Sequence, residues 1–276
     1  MMNDKQQIID LTHKGNSTID YEVITFPDGQ IHFRMDNSIS HKYPVFVRCR
    51  IRNGNELFLL LQVLDVLNRH GMKPTVYIYY LLAARMDRVM DFGEPFSARI
   101  VLRLLKGYDA MYFFYEPHCP GLVCGELDPR CVVIGSSSVL KRDSAFRCVP
   151  DEGALQKYNA SCGTLVCEKE RDTHTGSLSG FRIKNPEIFE EGKDIGVIDD
   201  LCDGGGTFCG IVKELRKLRP SKITLQVTHA IQRQGIEKVA ALYDEVYITN
   251  SYYDWEKEGL PANVHVKDIT NLPINT

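Results

Sequence analysis

One stretch, Asp194 to Thr207 (DIGVIDDLCDGGGT), limits what this chain can fold into more than any other. Ile195, Gly196, Val197 and Ile198 form the short apolar run of a buried parallel strand. Asp199 and Asp200 fall where that strand should end, followed by Asp203, three glycines (Gly204, Gly205, Gly206) and Thr207. Ile211, Val212, Leu215 and Leu218 then recur at helical spacing, so the stretch reads as strand, acidic edge, glycine loop and helix. Glycines let a backbone turn several N–H groups toward one point. Thr207 is expected to cap a helix whose N-terminus attracts an anion. Carboxylates repel phosphate, so Asp199 and Asp200 must serve sugar hydroxyls or a Mg²⁺ that travels with phosphate. A phosphate cradle beside hydroxyl acceptors describes a ribose-phosphate site.

Other phosphate loops fit less well. GxxxxGK[ST] is absent, which removes the lysine of a triphosphatase P-loop, and the glycines do not form GxGxxG. A merely tight strand-to-helix connection remains the alternative reading.

Elsewhere the chain alternates strands with helices. Tyr21–Phe26 and Ile31–Met35 flank Pro27-Asp28-Gly29, a hairpin signature. Strands are predicted at Tyr43–Cys49, Thr75–Tyr80, Met111–Phe114, Val132–Ile134, Arg147–Val149, Thr164–Cys167, Ile223–Val227 and Val246–Ile248. Helices are predicted at Leu57–Leu67, from a Ser97 cap to Lys106, and briefly after Asp151. The polar segment Glu168–Gly180 is expected to be a surface loop and lid. Strand–helix alternation implies an α/β fold with parallel sheets covered on both faces. With 276 residues and no low-complexity linker, two closely packed domains are expected, 1–140 and 141–276.

Composition excludes several classes. The chain is 43% apolar and 25% charged, enough for a sizeable core, with net charge −3 and no long basic run, so nucleic acid is not an expected partner. No apolar run approaches membrane length and MMNDKQQIID holds no apolar core of a leader, from which a cytoplasmic location is expected. Nine cysteines show no CxxC or zinc spacing and read as reduced, buried thiols.

Further candidates lie at strand ends, where α/β sheets bind ligands. Arg85, Asp87 and Arg88 suit a nucleotide triphosphate, or equally a surface ion-pair cluster. His118 follows a strand as a structural histidine or a metal ligand, and Asp151 before Gly153 suits a second anion or Mg²⁺ turn. Lys169 and Arg171 stand at the mouth of the polar segment, as a solvated face or as charge for a lid.

Taken together, FPDGQIHFRM (26–35), AARMDRVMDFGEPFSARIV (83–101), EPHC (116–119), PDEG (150–153), EKER (168–171) and VIDDLCDGGGTF (197–208) occur in the order found in ribose-phosphate pyrophosphokinases, or PRPP synthetases. The sequence resembles that family over nearly its whole length. The resemblance implies two phosphoribosyltransferase-type domains with catalysis between them. It implies an ATP- and Mg²⁺-dependent diphosphotransferase that acts on the anomeric hydroxyl of a ribose phosphate and releases AMP. Carried over, Asp199 and Asp200 bind ribose hydroxyls, and Asp203 to Thr207 hold the 5-phosphate. His118 and Asp151 hold Mg²⁺ or its waters. Arg85, Asp87 and Arg88 contact ATP, with Phe26, Asp28 and Gln30 at the adenine from a neighbouring subunit of a homo-oligomer, dimer or hexamer. Lys169 and Arg171 match the family's catalytic lid pair.

Departures accompany the match. The family's adenine-contacting Glu is Gln30, its Gln after the loop arginine is Met86, and the second Gly after Asp151 is Ala154. Gly204 stands where the family usually has Thr, which deletes a hydroxyl beside the 5-phosphate. That change, with a chain shorter than is usual, points to a divergent branch often carried by phages. This branch uses ADP-ribose as acceptor and makes ADP-ribose pyrophosphate for NAD salvage. Ribose 5-phosphate is the alternative acceptor. A base-attaching phosphoribosyltransferase and a non-catalytic regulatory homologue are the competing classes.

Overall fold

The apolar runs become the centres of two sheets. In the computed structural model, residues 6–36, 39–135, 143–158, 163–171 and 178–271 are described, with backbone alone at 169–171 and 178–179. The chain divides into two units, Met1–Gly135 and Ser136–Thr276.

In the first unit, β1 (Gln7–Asp10), β4 (Val45–Arg50), β5 (Thr75–Tyr80), β6 (Met111–Tyr115) and β7 (Cys131–Ile134) lie side by side in that order. All four pairings are parallel. Every residue of β4 is buried, as expected of a strand covered on both faces. Helix α1 (Gly54–Arg69) starts at Asn53, whose side chain accepts the Glu56 amide at 3.0 Å, and buries Leu57, Leu60, Val63, Leu64 and Leu67. The hairpin of β2 (Tyr21–Thr25) and β3 (Ile31–Met35) is a separate two-stranded sheet. Gln62 of α1 clamps it, accepting the Phe33 amide at 2.8 Å and donating to the Ile31 carbonyl at 3.0 Å. Helices α2 (Ser97–Lys106) and α3 (Pro120–Leu127) complete the unit. Ser97 is the first helical residue and not the cap: Phe96 holds that position without a side-chain bond.

The second unit holds a seven-stranded sheet in the order β10 (Leu178–Ile183), β9 (Thr164–Arg171), β8 (Phe146–Val149), β11 (Asp194–Cys202), β12 (Lys222–Ala230), β13 (Glu245–Thr249), β14 (Val264–Lys267). Helices α4 (Glu152–Lys157), α5 (Gly206–Arg216) and α6 (Arg233–Ala240) connect its parallel strands. The sheet is mixed, because β10 runs antiparallel to β9. This corrects the expected loop at 168–180. Glu168–Arg171 extends β9, and Phe181 and Ile183 of the returning strand pack on the unit's apolar core. The Phe181 ring is seated so close to α5 that a Cβ at Gly210 would lie 2.1 Å from it. No helix among the described residues is long and apolar enough to cross a membrane.

Candidate functional site

Strand β11 carries the acidic pair. It continues past Ile198 to Cys202, so Asp199 and Asp200 lie within the strand, with Asp199 registered against Val227 and Leu201 against His229 of β12. Asp200 is buried at 3% exposure, and its Oδ1 is 3.4 Å from the Lys157 ammonium. Asp199 turns its Oδ1 back onto the Asp200 amide at 2.9 Å. Burial, then the Asp200 charge, push the Asp199 carboxyl well above its ordinary value.

The loop after the strand is held by backbone contact. Gly205 adopts φ +77°, and a Cβ there would lie 2.8 Å from the Gly235 carbonyl. Conversely, a Cβ on Gly235 would lie 1.9 Å from the Asp203 carbonyl. The loop therefore rests on the first turn of α6, and Asp203 Oδ1 accepts the Gln232 amide nitrogen at 2.8 Å. Helix α5 begins at Gly206, with left-handed Gly205 before it and no side-chain cap. Thr207 is therefore in the first turn and is not the cap that its residue type suggested. The first-turn N–H groups lack intrahelical acceptors by geometry, which leaves donors for an anion. At Gly204 a Cβ would meet nothing within 4 Å.

Asp151 follows β8, whose register with β11 (Cys148 against Val197) brings the ends of the two strands to one edge. Its side chain is exposed, and one oxygen caps α4 by accepting the Ala154 amide at 2.9 Å. No cluster of three or more His, Cys, Asp or Glu side chains suited to a metal occurs among the described residues. Mg²⁺ characteristically takes one or two carboxylates, waters and substrate phosphates, and an exposed Asp151 fits that habit. The backbone of Lys169 and Arg171 lies on β9, with Lys169 opposite Phe181 and Arg171 opposite Leu178. Their side chains lie outside the described residues.

In the first unit, Arg85, Asp87 and Arg88 occupy the loop after β5, and His118 follows the adjacent β6. Arg85 and Arg88 are exposed, while the Asp87 side chain is 13% exposed and 3.4 Å from Arg88 Nε. Backbone strain gathers at this edge: Ala83 has φ +61°, and buried Glu116 has φ +42°. Phe26, half exposed, Asp28 and Gln30 shape the β2–β3 turn. There Asp28 accepts the Gln30 amide at 3.1 Å, and Phe26 N–H donates to the Gln30 carbonyl at 2.8 Å.

Sequence reasoning missed two groups. Lys157, in a short helix without periodicity, gave no signal of its long-range contact to Asp200. His229, at the end of β12, is buried against the Ser251 hydroxyl at 2.8 Å. Its neighbour Thr228 presents a carbonyl that accepts from Thr249 and Ser251. Cys202, inside the motif, has its thiol pushed up to about 12 by burial and by the charges of Cys209 and Asp199, so it is no nucleophile.

No family model matches the chain. Curated relatives do. The ribose-phosphate pyrophosphokinase of Thermococcus kodakarensis is 27% identical over 252 residues, covering 88% of this chain and 89% of that protein. The ribose-phosphate pyrophosphokinase of Pyrococcus abyssi is 29% identical over 257 residues, covering 88% and 87%. The likeness is to the ribose-phosphate pyrophosphokinase family. Both relatives are named for diphosphotransferase activity. The fold agrees: the crystal structure of phosphoribosylpyrophosphate synthetase from Mycobacterium smegmatis superposes with a TM-score of 0.78 at 20% identity, covering 96% of this chain and 95% of that one.

Proposed function

We propose that the enzyme transfers the β,γ-diphosphoryl group of ATP to the anomeric hydroxyl of a 5-phosphorylated ribose, with ADP-ribose the preferred acceptor. The C1 oxygen attacks the β-phosphorus, the bond from that phosphorus to the oxygen bridging to the α-phosphorus breaks, and AMP leaves. Asp199 and Asp200 accept from the ribose hydroxyls. Asp203 to Thr207 receive the 5-phosphate on backbone donors. Arg85, Asp87 and Arg88 orient ATP, and Lys169 and Arg171 offset the charge on the group in transfer. His118 and Asp151 would hold Mg²⁺ or its waters, and Mg²⁺ would supply charge neutralisation on the transferred phosphates. In this reading the chain works in the cytoplasm as a homo-oligomer, in which Phe26, Asp28 and Gln30 serve a neighbouring copy.

The acceptor preference is carried by Gly204. It leaves open space within 4 Å of a would-be Cβ, next to Gly205, whose Cβ would lie 2.8 Å from the Gly235 carbonyl. A phosphodiester has one oxygen fewer to satisfy than a terminal phosphate and needs the extra room. The names of the archaeal relatives favour a second reading, ribose 5-phosphate as acceptor.

The two readings separate in one experiment. The enzyme is given ATP, Mg²⁺ and an equimolar mixture of ADP-ribose and ribose 5-phosphate, and products are weighed by mass spectrometry. ADP-ribose pyrophosphate is expected to predominate. Gly204→Thr restores a hydroxyl donor and is expected to move the product ratio about tenfold toward PRPP, the worth of one hydrogen bond to a charged group. Predominant PRPP from the unaltered enzyme removes the ADP-ribose reading and leaves the second in place.

A further inference from the structure

Helix α4 carries Asp151 at its N-cap and Lys157 at its last residue. The Lys157 side chain is 14% exposed and that of Asp200 is 4% exposed, in an ion pair at 3.4 Å. Its Nζ has no hydrogen-bond partner among the described residues, and the ring of Tyr158 stands 5.5 Å away. The other charged side chain of this helix, Glu152, is exposed and paired with Lys184. An ammonium brought this deep is costly to desolvate, and one undirected contact stabilises the fold little. What the contact does supply is a counter-charge fixed beside Asp200. An opposite charge beside a carboxylate favours its ionised form, which only accepts hydrogen bonds, whereas a protonated carboxyl also donates.

We propose that Lys157 is a positioning residue for the acceptor sugar: its ammonium pairs with the Asp200 carboxylate and fixes where it points, so that Asp200 accepts hydrogen bonds from the ribose hydroxyls. The inference rests on the ribose-binding reading of Asp199 and Asp200. It gives α4 two tasks, the Mg²⁺-side carboxylate at one end and the counter-charge of the sugar site at the other.

The test compares the unaltered enzyme with Lys157→Met and Lys157→Arg. Four quantities are read: KM for acceptor, KM for ATP, acceptor Kd by calorimetry, and melting temperature without ligand. Lys157→Met is expected to raise acceptor KM and Kd together by roughly 10- to 100-fold, the range for one lost buried charge contact, and to leave the ATP KM within about twofold. Lys157→Arg is expected to recover most of the acceptor affinity. Unchanged acceptor constants in Lys157→Met overturn the proposal. So does an equal rise in both KM values, or an arginine variant no better than methionine. If the methionine variant fails to fold, Lys157→Gln carries the comparison, and an unchanged acceptor Kd in it is equally fatal. An unaltered enzyme that binds neither ADP-ribose nor ribose 5-phosphate overturns the ribose reading itself. One that binds a sugar phosphate regardless of residue 157 overturns only this inference.

Discussion

At the end of β14, Asp268 accepts from Asn250 Nδ2 at 2.7 Å, from the amide and hydroxyl of Thr270 at 2.9 Å each, and from the amide and side chain of Asn271 at 3.1 and 2.6 Å. Burial would raise its carboxyl, but the bonds from Asn271, Asn250 and Thr270 together hold it below its ordinary value. Three strands away in the same sheet, Asp199 has the amide of its own neighbour as donor, lies beside a second carboxylate, and is shifted the other way. Both carboxylates sit near the C-terminal end of a parallel strand. The difference between them is supply of donors. A carboxylate that holds a fold together is saturated by the chain. In the β11 pair, Asp199 takes the amide of its own neighbour, and Asp200 lies beside the Lys157 ammonium.

The contrast can be attacked at its strongest point first. Gly235→Ala places a Cβ against the Asp203 carbonyl, backbone on backbone, so the loop has to move. Displacement by about an ångström is expected to lower kcat/KM for the acceptor about 10²-fold, measured by initial rates with ATP saturating. Activity within twofold of the original would mean that the loop's position does not matter to the acidic pair's ligand. A smaller effect with the opposite readout is expected from Asp268→Asn. Loss of a charged acceptor of several bonds should destabilise the protein by about 2 kcal/mol, seen as a fall of roughly 4–8 °C in melting temperature, with kcat/KM unaltered. A drop in activity without one in stability would erase the distinction between the two sites.

The smallest effect sharpens the comparison by pH. A carboxyl lowered in the folded state contributes stability above its unfolded value near 4, and loses it as pH falls through the folded value; Asp268 behaves so. A carboxyl raised in the folded state binds its proton more tightly when folded, so stability drains away as pH rises from about 4; Asp199 behaves so. In urea titrations from pH 4 to 8, Asp199→Asn is expected to flatten that decline, gaining about 1 kcal/mol at the upper end. Parallel curves for the variant and the original would show that the acidic pair is no more strained than any surface carboxylate.

What could be read from the sequence follows the same division. Apolar strands such as Val45–Arg50 and Ile195–Ile198 announce themselves, because burial on both faces demands unbroken hydrophobic runs. The glycine loop was legible because its backbone shape permits few residues. The hairpin of β9 and β10 was not. Backbone pairing with β10 holds Glu168–Arg171 in the sheet whatever its side chains, so this polar run has the composition of a loop. The cap expected at Thr207 failed for a related reason: left-handed Gly205 turns the chain into α5 with backbone alone. Strands β1 and β14 and helix α3 are four to eight residues long, too short for periodicity to show. Lys157 was hidden most completely, since its meaning lies in a partner 43 positions along the chain whose approach only the fold creates.

The seating of Gly205 against Gly235 has a bearing on how such an enzyme can be retuned. Two peptide planes from distant segments are wedged together, so neither glycine can be exchanged singly and the floor of the loop is inherited as a block. Gly204 and Gly206, whose surroundings are open, are the addresses at which side-chain chemistry can be rewritten without disturbing that floor. A campaign to change which phosphorylated sugar is accepted should therefore begin with saturation of those two codons.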